Sequence, residues 1–208
     1  MLISIEGNIG SGKSTIINFL KSLNNENIVF VDEPVDEWLN IKSNNKNALE
    51  LFYENQSKNA FWFQVLAYIT RLRNLLETIE KNPNKIIITE RSIYTDKYVF
   101  AQMLFEDGHI NDIEFQTYNY WFDTFEKQTR IDIVLYVNTN PEECMNRIHT
   151  RNRPEETKIP LEYLQNCHKK HKDWIYNKEK CKIVQINGHQ SIENIQQNIL
   201  QFVYELNN

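Results

Sequence analysis

The stretch Gly7-Asn8-Ile9-Gly10-Ser11-Gly12-Lys13-Ser14 constrains this 208-residue chain more than any other. It has the form GxxxxGK(S/T), follows the apolar run Leu2-Ile3-Ser4-Ile5 and precedes the helical pattern Thr15-Ile16-Ile17-Asn18-Phe19-Leu20. A strand, a glycine-rich turn and a helix in that order turn backbone N–H groups inward at the positive end of the helix, where they donate to phosphate oxygens. In such a loop Lys13 reaches the outer phosphates and the Ser14 hydroxyl is available to magnesium. The sequence therefore predicts a nucleoside triphosphate site built from Gly7, Asn8, Ile9, Gly10, Ser11, Gly12, Lys13, Ser14 and Thr15.

The length suits one α/β domain spanning 1–208, enough chain for a central sheet covered on both faces. A net charge of -5 argues against binding a nucleic-acid polymer, which needs a basic face to replace phosphate counterions. No apolar run is long enough to cross a bilayer, and the first strand begins too early to leave room for a leader, so the expectation is a cytoplasmic protein. Cys144, Cys167 and Cys181 are odd in number and far apart, which predicts reduced, partly buried thiols. His168 and His171 lie one helical turn apart, but their segment reads as a solvated lysine-rich helix without a carboxylate at ligand spacing, and no metal site is expected there.

Apolar runs at 2–6, 28–31, 86–89, 131–137 and 182–186 predict five strands. Helical patterns at 13–23, 58–81, 93–105, 112–127, 141–150 and 160–177, with a last helix capped by Ser191, alternate with them. Strands that return across helices must run parallel, so the expected fold is a five-stranded parallel sheet flanked by helices. Residues 35–51 read as a polar, irregular and mobile surface segment. The rings of 93–127 read mostly as packing or subunit interface, which is compatible with a homodimer.

In a doubly wound sheet the carboxyl ends of the strands face the ligand crevice. That rule delivers Glu33, at the end of the second strand, and Glu90-Arg91-Ser92, at the end of the third, to the rim that carries the phosphate loop. Phosphoryl transfer needs a base for the attacking hydroxyl and a carboxylate on the magnesium side, so two carboxylates there have two roles to fill. A structural pairing of Glu90 with Arg91, and a simple surface acid at Glu33, are the alternatives. Arg147 and Arg151 share one helical face and Arg153 follows just beyond, a spacing suited to clamping a phosphoryl group. Their alternative is a solvated basic face paired with Glu155 and Glu156.

Taken together these pieces resemble the deoxyribonucleoside kinases of the deoxycytidine and deoxyguanosine kinase type. The matching segments are Ser4 to Thr15, Glu33-Pro34-Val35 with Trp38, Phe63-Gln64, Glu90-Arg91-Ser92 with Tyr94 and Asp96, Arg147 with Arg151-Asn152-Arg153-Pro154-Glu155-Glu156, and Ile159 to Leu164. The resemblance implies a P-loop kinase fold with an arginine-rich lid at about 147–158, and transfer of the γ-phosphoryl group of ATP, with Mg2+, to a deoxynucleoside 5'-hydroxyl. It implies Glu33 as general base, Arg91 as the arginine that orients Glu33 and binds phosphate, Ser14 and Glu90 on the metal side, and Arg147, Arg151 and Arg153 as lid arginines over the triphosphate. It further implies Tyr53 and Glu156 at the sugar 3'-hydroxyl, Gln64 on the base edge, and Phe63 and Phe100 on its faces.

Arg71 stands two helical turns after Gln64, and with Ala67 and Asp96 it matches the family's charged wall favouring deoxycytidine and purine deoxynucleosides over thymidine. An ordinary surface arginine is the other reading of Arg71. Two departures stand out: Asn152 replaces the usual lid glycine, which puts lid mobility in question, and Asn187-Gly188-His189-Gln190 lacks the acidic pair that some members place against the donor base, which leaves the donor open. The rival readings are a nucleoside monophosphate kinase of the thymidylate kinase type and a nucleotide-binding module without catalysis. The first lacks support in the segment after Glu33-Pro34-Val35, which carries no Gly-rich, Arg-bearing stretch. The second would not need Glu33 together with the lid arginines.

Overall fold

In the computed structural model, residues 1–177 and 181–206 are described; residues 178–180 and 207–208 of the expected 1–208 domain lie outside them. Five parallel strands, β1 (Leu2–Glu6), β2 (Ile28–Val31), β3 (Ile86–Glu90), β4 (Ile133–Asn138) and β5 (Lys182–Asn187), form one sheet in the order β2-β3-β1-β4-β5. The expected parallel sheet is therefore present, with every strand within a few residues of its predicted bounds. β1 is central: Ile3 lies in register with Ile88 of β3 on one side and Ile133 of β4 on the other.

Alternation sends the strand side chains into two cores. Ile3, Ile5, Ile133 and Leu135 pack with Ile16 and Leu20 of α1 (Lys13–Ser22) and with Ile199 and Phe202 of α9 (Ile192–Leu206). Val134 and Tyr136 point the other way, into a core shared with α4 (Gln56–Lys81), α7 (Pro141–Arg151) and α8 (Leu161–Asn177). Both faces are covered, which is why these strands read as continuous apolar runs rather than alternating ones.

Residues 35–51 depart from the expected irregular segment. They form α2 (Val35–Asn40), a short antiparallel ribbon pairing Lys42–Ser43 with Lys46–Asn47, and the start of α3 (Ala48–Glu54). The cause is local: Asn47 and Glu50 make a reciprocal capping box, and Trp38, Leu49 and Phe52 are buried beneath the polar surface. The α8 segment also differs from the solvated helix expected. Tyr163, Leu164, Cys167, His171, Trp174 and Ile175 form a buried stripe at helical spacing, and the lysines occupy the opposite face. His171 is held by Nδ1 against the Cys167 carbonyl at 2.8 Å, and burial pushes its pKa well down.

After β3 the chain enters α5 as Ile93–Thr95, widens into a π-helical stretch at Asp96–Ala101 and narrows again at Gln102–Glu106. α6 (Asp112–Phe125) follows, burying Tyr118 and Phe122 but leaving Ile113, Tyr120 and Trp121 exposed. The rings expected to serve packing thus divide between core and surface.

The phosphate loop leaves central β1 and is wedged against α7. Gly10 has φ 76°, and a Cβ there would lie 2.5 Å from the Cys144 backbone oxygen. Gly10→Ala is expected to cost about 2 kcal/mol from the forced contact, read as a fall in Tm of about 4–8 °C by calorimetry.

Candidate active site

The carboxyl ends of β1, β2 and β3 open on a cleft of about 610 Å³. One wall is the phosphate loop from Ile9 to Thr15; the other carries Trp38, Tyr53, Phe63, Gln64, Ala67, Arg71, Asp96 and Phe100. Glu33, Glu90 and Arg91 stand between them, and Arg147, Arg151, Arg153 and Glu156 border the opening. Gly7 and Asn8 stand behind the loop rather than on the cleft. Their carbonyls accept from Lys13 Nζ at 3.1 and 2.8 Å, while Asn8 Nδ2 donates to the Leu164 carbonyl at 2.8 Å and ties the loop to α8. Burial, helped by the charge of Arg91, pulls the Lys13 ammonium down to about 8 against the attraction of Glu90, Glu33 and Glu6.

Two buried guanidiniums meet on the Glu33 carboxylate. Its Oε1 accepts from Arg71 Nη2 at 3.1 Å and from Arg91 Nε at 3.2 Å. Burial pushes its pKa up, but the positive charges of Arg91, Arg71 and Lys13 outweigh burial and hold it at about 2. Arg91 has the left-handed φ of 62°; its Nη1 donates to the Gly7 carbonyl at 3.1 Å and its guanidinium lies 5.1 Å from the Phe100 ring centre.

Arg71 is only 1% exposed, which excludes the surface reading. Its Nε donates to Asp96 Oδ2 at 2.9 Å and its Nη1 to the Glu90 carbonyl at 2.7 Å. The charged wall and the catalytic candidate therefore share one ion-paired network. Asp96 itself is pushed up by burial, and Arg71 opposes that rise.

Gln64 is buried with its Oε1 left without a hydrogen-bond partner, an acceptor open to a ligand edge. Phe63 stacks on Phe52 at 4.5 Å and meets Trp38 edge-on at 5.5 Å; Trp38 Nε1 donates to Thr70 Oγ1 at 3.0 Å. Phe52, Leu49 and Tyr163 also line the cleft and were not foreseen; only the helical spacing of Leu49, Phe52 and Tyr53 could have indicated them. On the donor side Ile192 and Gln196 were missed, because α9 reads as an ordinary amphipathic helix, while Gln190 belongs to the loop already noted for lacking an acidic pair.

Ser14 Oγ donates to Glu90 Oε1 at 3.0 Å, so the two metal-side candidates are neighbours. Of the lid arginines only Arg147 reaches the loop. Arg147 donates to the Ser11 carbonyl at 3.1 Å and the Gly188 carbonyl at 2.8 Å, whereas Arg151 and Arg153 both pair with Glu156, Arg153 at 3.5 Å. Asn152 takes the left-handed cap between them with φ 50°, as a glycine would. Tyr53 is raised above its usual range by burial and by Glu156, so its hydroxyl stays protonated as a donor.

A family model for deoxynucleoside kinase matches residues 3–208. The chain belongs to the deoxynucleoside kinase family. It is 38% identical to the deoxycytidine kinase of Homo sapiens over 197 residues, which covers 85% of this chain and 75% of that protein. It is 37% identical to the probable deoxycytidine kinase of fowlpox virus over 98% of this chain and 86% of that protein. The mitochondrial deoxyguanosine kinase of Xenopus laevis is 32% identical over 85% of this chain and 73% of that protein. The kinase is accordingly an ATP-dependent phosphotransferase acting on deoxynucleosides, a reading favoured over both a monophosphate kinase and a non-catalytic module. A kinase using a nucleoside triphosphate donor calls for a divalent metal. No described helix is long and apolar enough to cross a membrane.

The field on Glu33 is directly measurable. In a 13C titration its carboxyl is expected to remain ionised from pH 6 down to 3, and Arg91→Met, which removes one of the two guanidiniums that donate to it, should bring its midpoint up into that window.

Proposed function

We propose that this kinase transfers the γ-phosphoryl group of ATP to the 5'-hydroxyl of deoxycytidine or a purine deoxynucleoside, with thymidine a poor substrate. The observation that carries this reading is the place of Glu33: its carboxylate stands between the phosphate loop and a pocket holding an unpartnered carboxamide, Gln64, beside the buried Arg71–Asp96 pair.

Glu33 accepts the proton of the attacking hydroxyl. At a pKa of about 2 it is a weak base in the free enzyme. The arriving triphosphate places negative charge beside Lys13 and Arg91, offsets their field and makes Glu33 a better proton acceptor as the donor binds. Residues Gly7 to Thr15 cradle the phosphates, Lys13 and Arg91 stabilise the transferring group, and Arg147, Arg151 and Arg153 close over it. Ser14 and Glu90 are hard oxygen donors side by side, a set that fits Mg2+. When bound, Mg2+ supplies charge neutralisation for the phosphate oxygens.

On the acceptor side Tyr53 and Glu156 hold the sugar 3'-hydroxyl, Gln64 offers paired donor and acceptor groups to the base edge, and Phe63 and Phe100 with Trp38 flank it. Arg71 and Asp96, with Ala67 beside them, form a charged far wall that offers little apolar surface to a methyl group on the base. The relatives named as deoxycytidine and deoxyguanosine kinases support this choice of bases. We place the enzyme in the cytoplasm, where its triphosphate donor is supplied, as a single domain and a homodimer joined through the exposed Ile113, Tyr120 and Trp121 of α6. Its partners are its two substrates, with no role for a nucleic-acid polymer or a membrane.

Glu33→Gln should retain ATP binding by calorimetry and lose phosphoryl transfer by about 10²–10⁴-fold; transfer at the wild-type rate removes Glu33 from the chemistry. In a panel of the four deoxynucleosides, Arg71→Met with Asp96→Ala should raise the kcat/KM ratio of thymidine to deoxycytidine by about tenfold or more. An unchanged ratio would mean that base choice lies elsewhere.

A further inference from the structure

A buried carboxylate that the chemistry above does not use sits directly behind the site. Glu6, the last residue of β1, is fully buried. Its Oε1 accepts from Ser92 Oγ at 2.8 Å and from Ser4 Oγ, and its Oε2 accepts from Thr95 Oγ1. Burial pushes its pKa up, and the three hydroxyls and the nearby charge of Arg91 counter that push.

A hydroxyl has one proton to donate, so Ser92 and Thr95 have both committed theirs to Glu6. The residues of this segment therefore divide by direction. Glu90, Arg91 and Asp96 line the cleft, while Ser92 and Thr95 face Glu6. Arg91 occupies a left-handed backbone conformation that a non-glycine residue holds only when its surroundings impose it. The restraints are visible on both sides: Arg91 N donates to the Ile5 carbonyl at 3.0 Å before Glu6, and the next residue, Ser92, is gripped by Glu6 itself.

We propose that Glu6 is a positioning residue for phosphoryl transfer: by holding Ser92 and Thr95 it fixes the turn at Arg91 and thereby sets the Arg91 guanidinium on Glu33. The inference rests on the roles of Glu33 and Arg91 given above, and it adds a residue that never touches either substrate. A carboxylate suits this place because it accepts several hydroxyl bonds at once, whereas a glutamine in the same space puts an N–H2 group on one side, so that the hydroxyls there must turn from donors into acceptors.

The test is a double-mutant cycle on kcat with deoxycytidine and ATP. Glu6→Gln is expected to lower kcat about tenfold or more, the scale of a small misplacement of reacting groups, with both KM values within about twofold. In an Arg91→Ala background the same change should alter kcat by less than about twofold, because the group it positions is gone. Equal losses in the two backgrounds, or an unchanged kcat, overturn the proposal. Arg91→Ala turning over like wild type overturns the role of Arg91 first and the proposal with it. Should Glu6→Gln fail to fold by circular dichroism, Thr95→Val carries the same cycle with the same criterion of coupling to Arg91.

Discussion

Two guanidiniums on one carboxylate set the terms for the rest of this structure. Arg71 and Arg91 both donate to Glu33 Oε1, and each is itself anchored elsewhere, Arg71 on Asp96 and the Glu90 carbonyl, Arg91 on the Gly7 carbonyl. Buried charges persist only when paired and hydrogen-bonded, so the elements that supply them must hold their relative positions. That requirement links β1, β2, β3, α4 and α5 into a frame around the transfer site. It also explains why α4 carries a charged residue, Arg71, on its buried face.

The parts of the fold legible in the sequence were those written locally. The glycine spacing announced the phosphate loop, and continuous apolar runs announced strands covered on both faces. The helices between 35 and 54 were obscured because their composition is polar; the capping box at Asn47 and the buried Trp38 and Phe52 outweigh it, and burial is a property of the assembled chain. The buried face of α8 was hidden in the same way by its lysines.

The site divides along the same line. The sequence indicates which charged residues reach the rim, since strand ends fall on one side of a parallel sheet, but it does not pair them. The pairing of Arg151 and Arg153 with Glu156 was among the readings of the sequence, whereas nothing local marks Arg71 as a partner of Glu33 thirty-eight residues away. These choices arise from a balance between desolvation and ion pairing inside the folded cleft. Arg151 and Arg153 are therefore already engaged, and the proposed function requires a triphosphate to draw them from Glu156.

The π-helical stretch at Asp96–Ala101 trades helix regularity for the direction of two side chains. A wide turn of this kind amounts to one residue more than a regular helix needs, and it spoils the bonding of the turn around it. It begins at Asp96, the partner of Arg71, and contains Phe100, which lies against Arg91. A chain shortened by one residue here would gain a better helix and lose the aim of both side chains. The stretch thus gives up regular helix bonding at the place where α5 holds Asp96 on Arg71 and Phe100 against Arg91.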